Sequence, residues 1–312
     1  MDFLYLLENI RNPVLDAFFS FITLFGEETL FMAIGMIIFW CIDKYQGYYL
    51  LCVGFLGTVV NQFLKMLFRI PRPWVKDPNF TIVESAKDAA SGYSFPSGHT
   101  QPSVGLFGGI TSCNIGHLWR TLPLFFCIFV PLSRMYLGVH TPKDVLVSIG
   151  IALILIFGLY PLFKKAAEKP KIMYSILVVL TAVLLGFLLF VSFYNFPASV
   201  YLEENIHNLL SAQKNAYTLL GCIIGLLVVY TLDLKYIRFV TSAIWWAQIL
   251  KAVGGIALVL LTKELLRAPL DAIFAGNLIA RTITYFLIVI VGGALWPLTF
   301  KWFSTLGNKK EA

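Results

Sequence analysis

The sequence predicts an all-α protein, a polytopic integral membrane helix bundle of about nine transmembrane spans plus an N-terminal interfacial helix. Composition is the first observation behind this prediction: of 312 residues, 58% are hydrophobic and 13% are charged. The resulting mean hydropathy of +0.79 lies far outside soluble globular composition. The second observation is that the apolar residues are gathered into runs long enough to cross a bilayer as helices.

The N-terminal stretch, residues 3–25, is apolar but interrupted by Glu8, Arg11, Pro13 and Asp16. These interruptions favour one or two short helices lying at the membrane surface over a span. No basic cluster precedes an apolar core, so a cleaved signal peptide is not expected.

The spans follow in order as apolar runs. The first two cover about 28–42 and 47–68, and Pro71 and Pro73 prevent the second from continuing. A polar connection over 74–95 is long enough to fold over a site. The third span starts after His99 and ends near Ile115. The later runs, near 122–137, 140–163, 172–194, 216–232, 239–262 and 276–300, complete one integral membrane domain over 1–312, in which 172–312 adds C-terminal transmembrane helices.

Three polar clusters interrupt this apolar sequence between residues 65 and 144. They read KMLFRIPRP, PSGH and SRMYLGVHTPKD. Lysine and arginine offer positive charge to a phosphate dianion, and arginine adds a planar fork that can bond two oxygens. A serine hydroxyl and a glycine backbone at a turn before an apolar helix also favour an anion. The candidate phosphate-binding residues are Lys65, Arg72, Ser97, Gly98 and Arg134.

Two histidines in the clusters supply candidate chemistry. His140 and Asp144 are four residues apart, so on a helix the carboxylate would lie over the imidazole and fix its tautomer. Nε2 of His140 would then be free to attack phosphorus. His99 would be free to transfer a proton to the departing oxygen.

Taken together, the three clusters resemble the signature of the type 2 phosphatidic acid phosphatase superfamily, which includes lipid phosphate phosphatases, glucose-6-phosphatase and vanadium haloperoxidases. Every signature position within 65–144 is matched. The resemblance implies a phosphatase in which His140 is the nucleophile that becomes phosphorylated, Asp144 orients it, and His99 is the general acid. It also implies Lys65, Arg72, Ser97, Gly98 and Arg134 as phosphate ligands, and no metal or other cofactor.

Each cluster alone has an ordinary structural explanation. PSGH is a turn into a helix, HxxxD is a common pattern, and basic residues at span ends usually anchor the helix at the interface. Only their order and spacing together favour a phosphatase site. Beyond residue 144, the predicted span number is similar to glucose-6-phosphatase and the sphingosine phosphate phosphatases.

The charge pattern predicts the side of the membrane on which the site lies. Both histidines come at span starts, and Lys65 and Arg134 come at span ends, so all four are expected on one side. The sequence KKAAEKPK at 164–171, at the opposite end of the fifth span, is the strongest positive-inside signal. The site is therefore expected on the extracytoplasmic face of a multi-pass protein of the cell (plasma) membrane.

The leading expectation for function is hydrolysis of a lipid phosphate or lipid diphosphate, with membrane lipids as the surroundings. A soluble sugar phosphate as substrate, and transfer of the phosphoryl group to another hydroxyl, stay open. A transporter or lipid scramblase would explain the spans and the charges of Lys251 and Arg281, but it leaves the histidines without a role. The net charge of +7 comes without a basic run interleaved with aromatics, so nucleic acid is not an expected partner. Oligomeric state is not determined by these patterns.

Two further groups of residues have plain interpretations. Lys263, Glu264, Arg267 and Asp271 are expected around a tight external turn, as an ordinary interfacial loop in preference to a second wall of the substrate pocket. The cysteines show no paired spacing and are interpreted as small apolar fillers. They are Cys41, Cys52, Cys113, Cys127 and Cys222.

Overall fold

The structure, a computed structural model, describes residues 1–87, 90, 92–112, 117–195 and 202–306. All regular elements in these ranges are helical, which confirms the predicted all-α class. The α-helices are α1 (Asp2–Asn9), α2 (Pro13–Thr23), α3 (Glu28–Cys41), α4 (Lys44–Phe68), α5 (Pro73–Lys76), α6 (Thr100–Ser112), α7 (His117–Tyr136), α8 (Pro142–Glu168), α9 (Pro170–Phe193), α10 (Leu202–Leu232), α11 (Trp245–Ile273), α12 (Ile279–Ile290) and α13 (Phe300–Thr305). Short 3₁₀ turns occur at Leu24–Gly26, Glu84–Ala86 and Trp296–Thr299, and π turns at Asp233–Ile237 and Val291–Leu295.

Several of these helices are long and apolar enough to cross a membrane, as expected for a multi-pass membrane protein. Within the described ranges five stretches qualify, and a sixth is added if Pro13–Gly26 and Glu28–Cys41, bent by 54°, form one span. The predicted number of nine is therefore not confirmed. The five are Lys44–Lys76, Pro142–Glu168, Pro170–Phe193, Asn205–Ile237 and Ile279–Thr305.

The N-terminal stretch forms two short helices, as predicted. Asn12 caps α2, because its side-chain oxygen accepts hydrogen bonds from the backbone N–H groups of Val14 and Leu15, and Pro13 occupies the first turn. The interfacial position predicted for this stretch stays a prediction. Helices α2 and α3 together also fit a broken span or a re-entrant loop.

The predicted external turn around Lys263, Glu264, Arg267 and Asp271 is wrong. These residues lie inside α11, which continues to Ile273, and the turn comes later, around Gly276 with its φ of +75°. The stretch KELLRA is rich in good helix formers, so the helix continues through its charges. Pro269 is accommodated within α11, a position that membrane helices tolerate.

The lysine-rich stretch at 164–171 is also more helical than its sequence suggests. Lys164 and Lys165 belong to the end of α8, and Lys171 to the first turn of α9. Only Lys169 stands between the two helices. The junction still carries the positive charge on which the topology prediction depends.

The chain divides into two compact units. Unit 1 comprises Met1–Met32, Tyr49–Leu162 and Tyr194–Ala212. Unit 2 comprises Ala33–Tyr48, Phe163–Phe193 and Gln213–Ala312. All signature residues belong to unit 1, and most of the C-terminal helices belong to unit 2. The prediction of one membrane domain over the whole chain stays a prediction.

In unit 1, the connection over 74–95 packs onto the end of α7. Ala86 and Ala90 are buried in one cluster with Phe19, Tyr136 and Val139. The backbone N–H of Val83 donates to the carbonyl of Leu137 at 3.1 Å. This contact fixes the short segment between α7 and α8, which contains His140.

Polar contacts join separate segments of unit 2. Trp40 Nε1 donates to the carbonyl of Gly292 at 2.8 Å. Lys44 Nζ lies 2.6 Å from Asp233 Oδ2 and donates to it. Lys251 is fully buried and donates to the carbonyl of Thr241 at 2.8 Å. The cysteines among the described residues, Cys41, Cys52, Cys127 and Cys222, are free thiols, and Cys113 lies outside those residues.

Candidate active site

The signature residues stand at helix ends in unit 1. Lys65 is in the last turn of α4 and Arg134 in the last turn of α7. Ser97, Gly98 and His99 immediately precede α6, and His140 lies just before α8. Contacts join these ends: Ser97 N–H donates to the Asp144 carbonyl at 3.3 Å, and His140 N–H donates to the Arg134 carbonyl at 3.2 Å.

Asp144 is buried and held by two donors. The hydroxyl of Ser94 donates to its Oδ2 at 2.5 Å, and the backbone N–H of Thr141 donates to the same oxygen at 2.7 Å. The same Oδ2 lies 3.6 Å from Nδ1 of His140. That distance is too long for a hydrogen bond but places the carboxylate directly beside the imidazole.

His140 is fully buried and contacts Arg72 through its other ring nitrogen. Nη1 of Arg72 lies 2.9 Å from Nε2 of His140 and also donates to the carbonyl of Val139 at 2.9 Å. A guanidinium can only donate, so Nε2 must be the acceptor. In the neutral imidazole the proton is therefore on Nδ1, the nitrogen that faces Asp144.

The charge state of His140 follows from its surroundings. Burial lowers the pKa of His140 well below its usual value of 6.5, and the neighbouring cation of Arg72 lowers it further. The adjacent carboxylate of Asp144 acts in the opposite direction and raises the pKa. Burial and the Arg72 charge dominate, so the imidazole is neutral near pH 7 with its lone pair on Nε2.

Arg134 brings a second buried guanidinium to the site. Its Nη1 donates to the hydroxyl of Thr23 at 2.7 Å, although 111 residues separate the two positions. Its Nε and Nη2 have no hydrogen-bond partner within the part of the chain that the structure describes. Buried donors of this kind are costly unless a partner arrives, and an anion would supply one.

Ser97 caps α6 at the centre of the signature turn. Its hydroxyl oxygen accepts from the backbone N–H of Thr100 at 3.3 Å, which leaves the hydroxyl proton available to donate. Its carbonyl accepts from Asn61 Nδ2 and from the Ser148 hydroxyl, both at 3.1 Å. Apart from Gly98 and its two chain neighbours, no described residue lies within 4 Å of the position that a Cβ on Gly98 would take, so the backbone there borders open space.

His99 lies against the end of α2. A Cβ built on Gly26 would lie 2.8 Å from the Cβ of His99 and 2.9 Å from its carbonyl oxygen, so only glycine fits this approach. Burial lowers the pKa of His99 well below 6.5, and the positive charges of Arg134, Arg72 and Lys65 lower it further. A bound phosphate dianion would offset those cations and raise the pKa of His99 again.

Lys65 and Arg72 are tied to the 74–95 connection by their own donors. Lys65 Nζ donates to the carbonyl of Tyr93 at 2.6 Å, and Arg72 Nε donates to the carbonyl of Gly92 at 2.8 Å. The carbonyls thus orient both cations. The structure brings all eight predicted site residues into unit 1, where hydrogen bonds link Arg72 and Arg134 to His140.

Five residues in this arrangement were not predicted from the sequence. Asn61 precedes Lys65 by four positions, and Ser148 follows Asp144 by four, so helical spacing could have indicated both. No local pattern points to Thr23, Gly26 or Ser94. Their contacts with Arg134, His99 and Asp144 depend on the tertiary packing.

Chemically, the site presents a neutral imidazole nitrogen, buried cations and a second histidine. Among the described residues, no group of three or more histidine, cysteine, aspartate or glutamate side chains could hold a metal ion. Positive side chains can take the charge-stabilising role that metal ions have in other phosphoryl-transfer sites. The fold and the site therefore define a multi-pass membrane protein in which buried basic side chains surround two histidines.

The comparisons with known proteins agree with this class. The PAP2 superfamily model matches residues 46–168, and the model of the PAP2 superfamily phosphatase transmembrane extension matches residues 217–309. The sequence is 30% identical over 156 residues to undecaprenyl-diphosphatase BcrC of Bacillus subtilis (strain 168), over 47% of this chain and 74% of that protein. The chain belongs to the PAP2 superfamily, the family that the three clusters resemble.

Two further similarities cover different shares of the similar protein's own length. The sequence is 30% identical over 160 residues to the probable sphingosine-1-phosphate phosphatase of Dictyostelium discoideum, over 47% of this chain but only 38% of that protein. LpxE of Aquifex aeolicus, a solved structure, superposes with a TM-score of 0.44 at 23% identity over 50% of this chain and 91% of its own. The chain thus spans well under half the length of the Dictyostelium relative.

Proposed function

We propose that this protein hydrolyses the phosphate or diphosphate of a lipid at the extracytoplasmic face of the membrane, through a phosphohistidine at His140. One observation carries the proposal: the contact from Arg72 Nη1 to His140 Nε2 at 2.9 Å. It fixes the lone pair on the nitrogen that would attack, and it places a phosphate-binding cation within reach of the same point.

The reaction has two steps. Nε2 of His140 attacks phosphorus, the bond from phosphorus to the lipid oxygen breaks, and His99 protonates the departing oxygen. The Nδ1 proton of His140 faces Asp144, whose charge stabilises the cationic phosphohistidine. Water, deprotonated by His99, then attacks phosphorus, and inorganic phosphate leaves as Nε2 is released. Arg72, Arg134, Lys65 and the Ser97 turn bind the phosphoryl oxygens in both steps.

A lipid substrate is favoured by where the site residues stand along their helices. Lys65 and Arg134 are in the last turns of α4 and α7, and Asp144 is in the first turn of α8. Residues at the ends of membrane helices lie near headgroup depth. A lipid can present its phosphate there while its chain stays beside the bilayer, and the names of both relatives refer to lipid substrates.

The nucleophile is tested with purified protein and an assay of released phosphate. His140→Ala removes the attacking nitrogen and is expected to lower kcat by roughly 1,000-fold or more. Lys143→Ala is the matched control, because Lys143 is an exposed neighbour at the start of α8. Wild-type turnover by His140→Ala would overturn the phosphohistidine mechanism.

The absence of a metal requirement is tested in the same assay. Activity is expected to survive chelators, because side-chain cations stabilise the transition state. Vanadate, which adopts a five-coordinate geometry, is expected to inhibit. Loss of activity in EDTA with rescue by a divalent cation would contradict the proposed site chemistry.

The substrate class is tested with a panel held at fixed surface concentration in detergent. It includes a sphingoid phosphate, a polyprenyl diphosphate, phosphatidate and glucose 6-phosphate. Each methylene buried against the protein adds up to about 0.8 kcal/mol, so long-chain substrates are expected to show the higher kcat/KM. Equal turnover of glucose 6-phosphate would replace the lipid assignment by the sugar-phosphate alternative. Phosphorylated product in the presence of an added alcohol would identify phosphotransfer.

A further inference from the structure

Unit 2 contains a polar cavity that the proposed reaction does not use. It has a volume of about 250 Å³ and lies between α11 and α12, which pack against each other. Its lining consists of Lys263, Arg267, Asp271, Arg281, Thr284 and Tyr285. Three side chains are cationic and one is acidic, so the cavity is positively charged.

Helical spacing directs these side chains toward one another. Lys263, Arg267 and Asp271 are separated by four residues each and therefore form one stripe along α11. Arg281 and Tyr285 have the same spacing on α12. The two stripes face each other across the cavity, close to the turn that joins the helices.

The cations of this cavity are not neutralised by neighbouring acids. Within the described ranges, Lys263, Arg267 and Arg281 make no ion pair, and Asp271 makes none either. Arg281 is oriented by its Nε, which donates to the Thr218 hydroxyl at 3.3 Å, and by the ring of Tyr285, whose centroid lies 5.8 Å from its guanidinium carbon. Its Nη atoms are available to donate hydrogen bonds to a ligand.

We propose that this cavity binds a phosphate group, and that the headgroup of an anionic membrane lipid supplies it. Arg281 stands in the first turn of α12, which begins a stretch long and apolar enough to span a membrane, so an unpaired charge there is costly. A phosphate would compensate Arg281 together with the neighbouring cations of α11. Two arginines offer planar forks that suit phosphate oxygens, and lysine adds a point charge. The volume, just below the range typical for whole drug-sized ligands, suits a headgroup with its acyl chains outside.

Phosphatidylglycerol is a suitable probe because its phosphate is a diester and not a terminal group. The full chain, purified in detergent, is titrated with dioleoylphosphatidylglycerol, and bound lipid is counted by native mass spectrometry. Lys263→Gln combined with Arg267→Gln is expected to raise the Kd of the most tightly bound phosphatidylglycerol by roughly 10- to 30-fold. Lys214→Gln is the matched control, since Lys214 is an exposed lysine of unit 2 outside the cavity.

A second arm tests free phosphate as the source. Inorganic phosphate is added at matched ionic strength, and the rise in thermal unfolding temperature is compared between wild type and the double variant, both with an intact active site. Loss of the lipid adduct supports a headgroup, and loss of only the phosphate-dependent rise supports free phosphate. Equal behaviour of wild type and double variant in both arms overturns the proposal.

A variant that is expected to gain affinity distinguishes a loss of binding from misfolding. Asp271→Asn removes the one carboxylate in the lining and is expected to tighten phosphatidylglycerol binding by roughly two- to fivefold. A variant that merely unfolds would not bind more tightly, and unchanged or weaker binding by Asp271→Asn would contradict the cavity as an anion site. These are binding measurements, so their failure leaves the proposed hydrolysis at His140 untouched.

Discussion

A single side chain outside the signature, that of Ser94, holds the carboxylate that lies beside His140. Asp144 has 1% of its surface exposed and receives a hydrogen bond from Ser94 at 2.5 Å. A buried carboxylate needs such donors, because without them its charge would be poorly solvated. The carboxylate proposed to orient His140 is thus itself held by a serine 50 positions away in the chain.

Ser94→Ala is expected to lower kcat while KM changes little, because the hydroxyl acts on Asp144 and not on the substrate. Hydrogen bonds to charged groups contribute about 1.5–3 kcal/mol, so a loss of roughly 10- to 100-fold is expected. Steady-state kinetics of phosphate release measure it. Ser112→Ala is the control, since its hydroxyl donates only to the carbonyl of Gly108 in its own helix. A wild-type kcat for Ser94→Ala would show that this contact does not matter.

The lowered pKa of His140 predicts where the pH profile of kcat/KM falls on its acid side. The nucleophile must be neutral, and burial together with the Arg72 charge holds its pKa below 6.5. Protonation of His140 is therefore expected to reduce activity only below about pH 6.5, and not between pH 6.5 and 8.

The substrate's own phosphate titrates near pH 6, so a variant is needed to isolate the histidine. Arg72→Gln removes a cation beside His140 and is expected to move the acid limb to higher pH. Arg72→Lys keeps a positive charge and should leave the limb nearer its wild-type position. If the limb of Arg72→Gln coincides with that of the wild type, the acid limb does not report His140.

At the scale of whole elements, the N-terminal helices contribute to the site although they lie far from it in sequence. Thr23, the last residue of α2, contacts Arg134, and Gly26 in the following 3₁₀ turn contacts His99. The bend of 54° between α2 and α3 occurs at this point. The close approach at Gly26 therefore holds His99, the proposed general acid, against the backbone of this turn.

Gly26→Ala is expected to displace His99, because the added Cβ would lie within 3 Å of both His99 and Val130. A misplacement of this kind can lower kcat by up to roughly 100-fold. Gly158→Ala in α8 is the matched control, since apart from the adjacent backbone of α8 nothing described lies within 4 Å of its added Cβ. Kinetics and thermal unfolding of both variants test the prediction. Full activity of Gly26→Ala would show that His99 can shift without loss.

For the molecule as a whole, the orientation in the membrane is open to a direct test. Lys87 belongs to the connection that packs over the site, and its side chain is 58% exposed. Ala167 is exposed near the lysine-rich junction of α8 and α9, whereas the adjacent Ala86 and Ala166 are buried. A cysteine at each exposed position can therefore report its side of the membrane.

Lys87→Cys is expected to react with an impermeant maleimide in intact cells, and Ala167→Cys only after lysis, because positive charge is retained on the cytoplasmic side. The parent protein, which retains its native cysteines, sets the background. Labelling of Ala167→Cys but not Lys87→Cys in intact cells would place the active site on the cytoplasmic side.

The sequence alone determined the all-α membrane class and the signature residues of unit 1, because apolar run length and the fixed spacing of polar clusters are local properties. Span ends were predictable within a few residues where charge or proline stopped a run. The charged stretch after Leu261 was misjudged, since helix formers continued α11 through charges that looked like a turn. Tertiary structure alone decided the contacts of Thr23, Gly26 and Ser94 and the convergence of charges between α11 and α12. The physical reason is that packing brings together residues as distant in the chain as Thr23 and Arg134, which are 111 positions apart, and no local sequence pattern predicts such contacts.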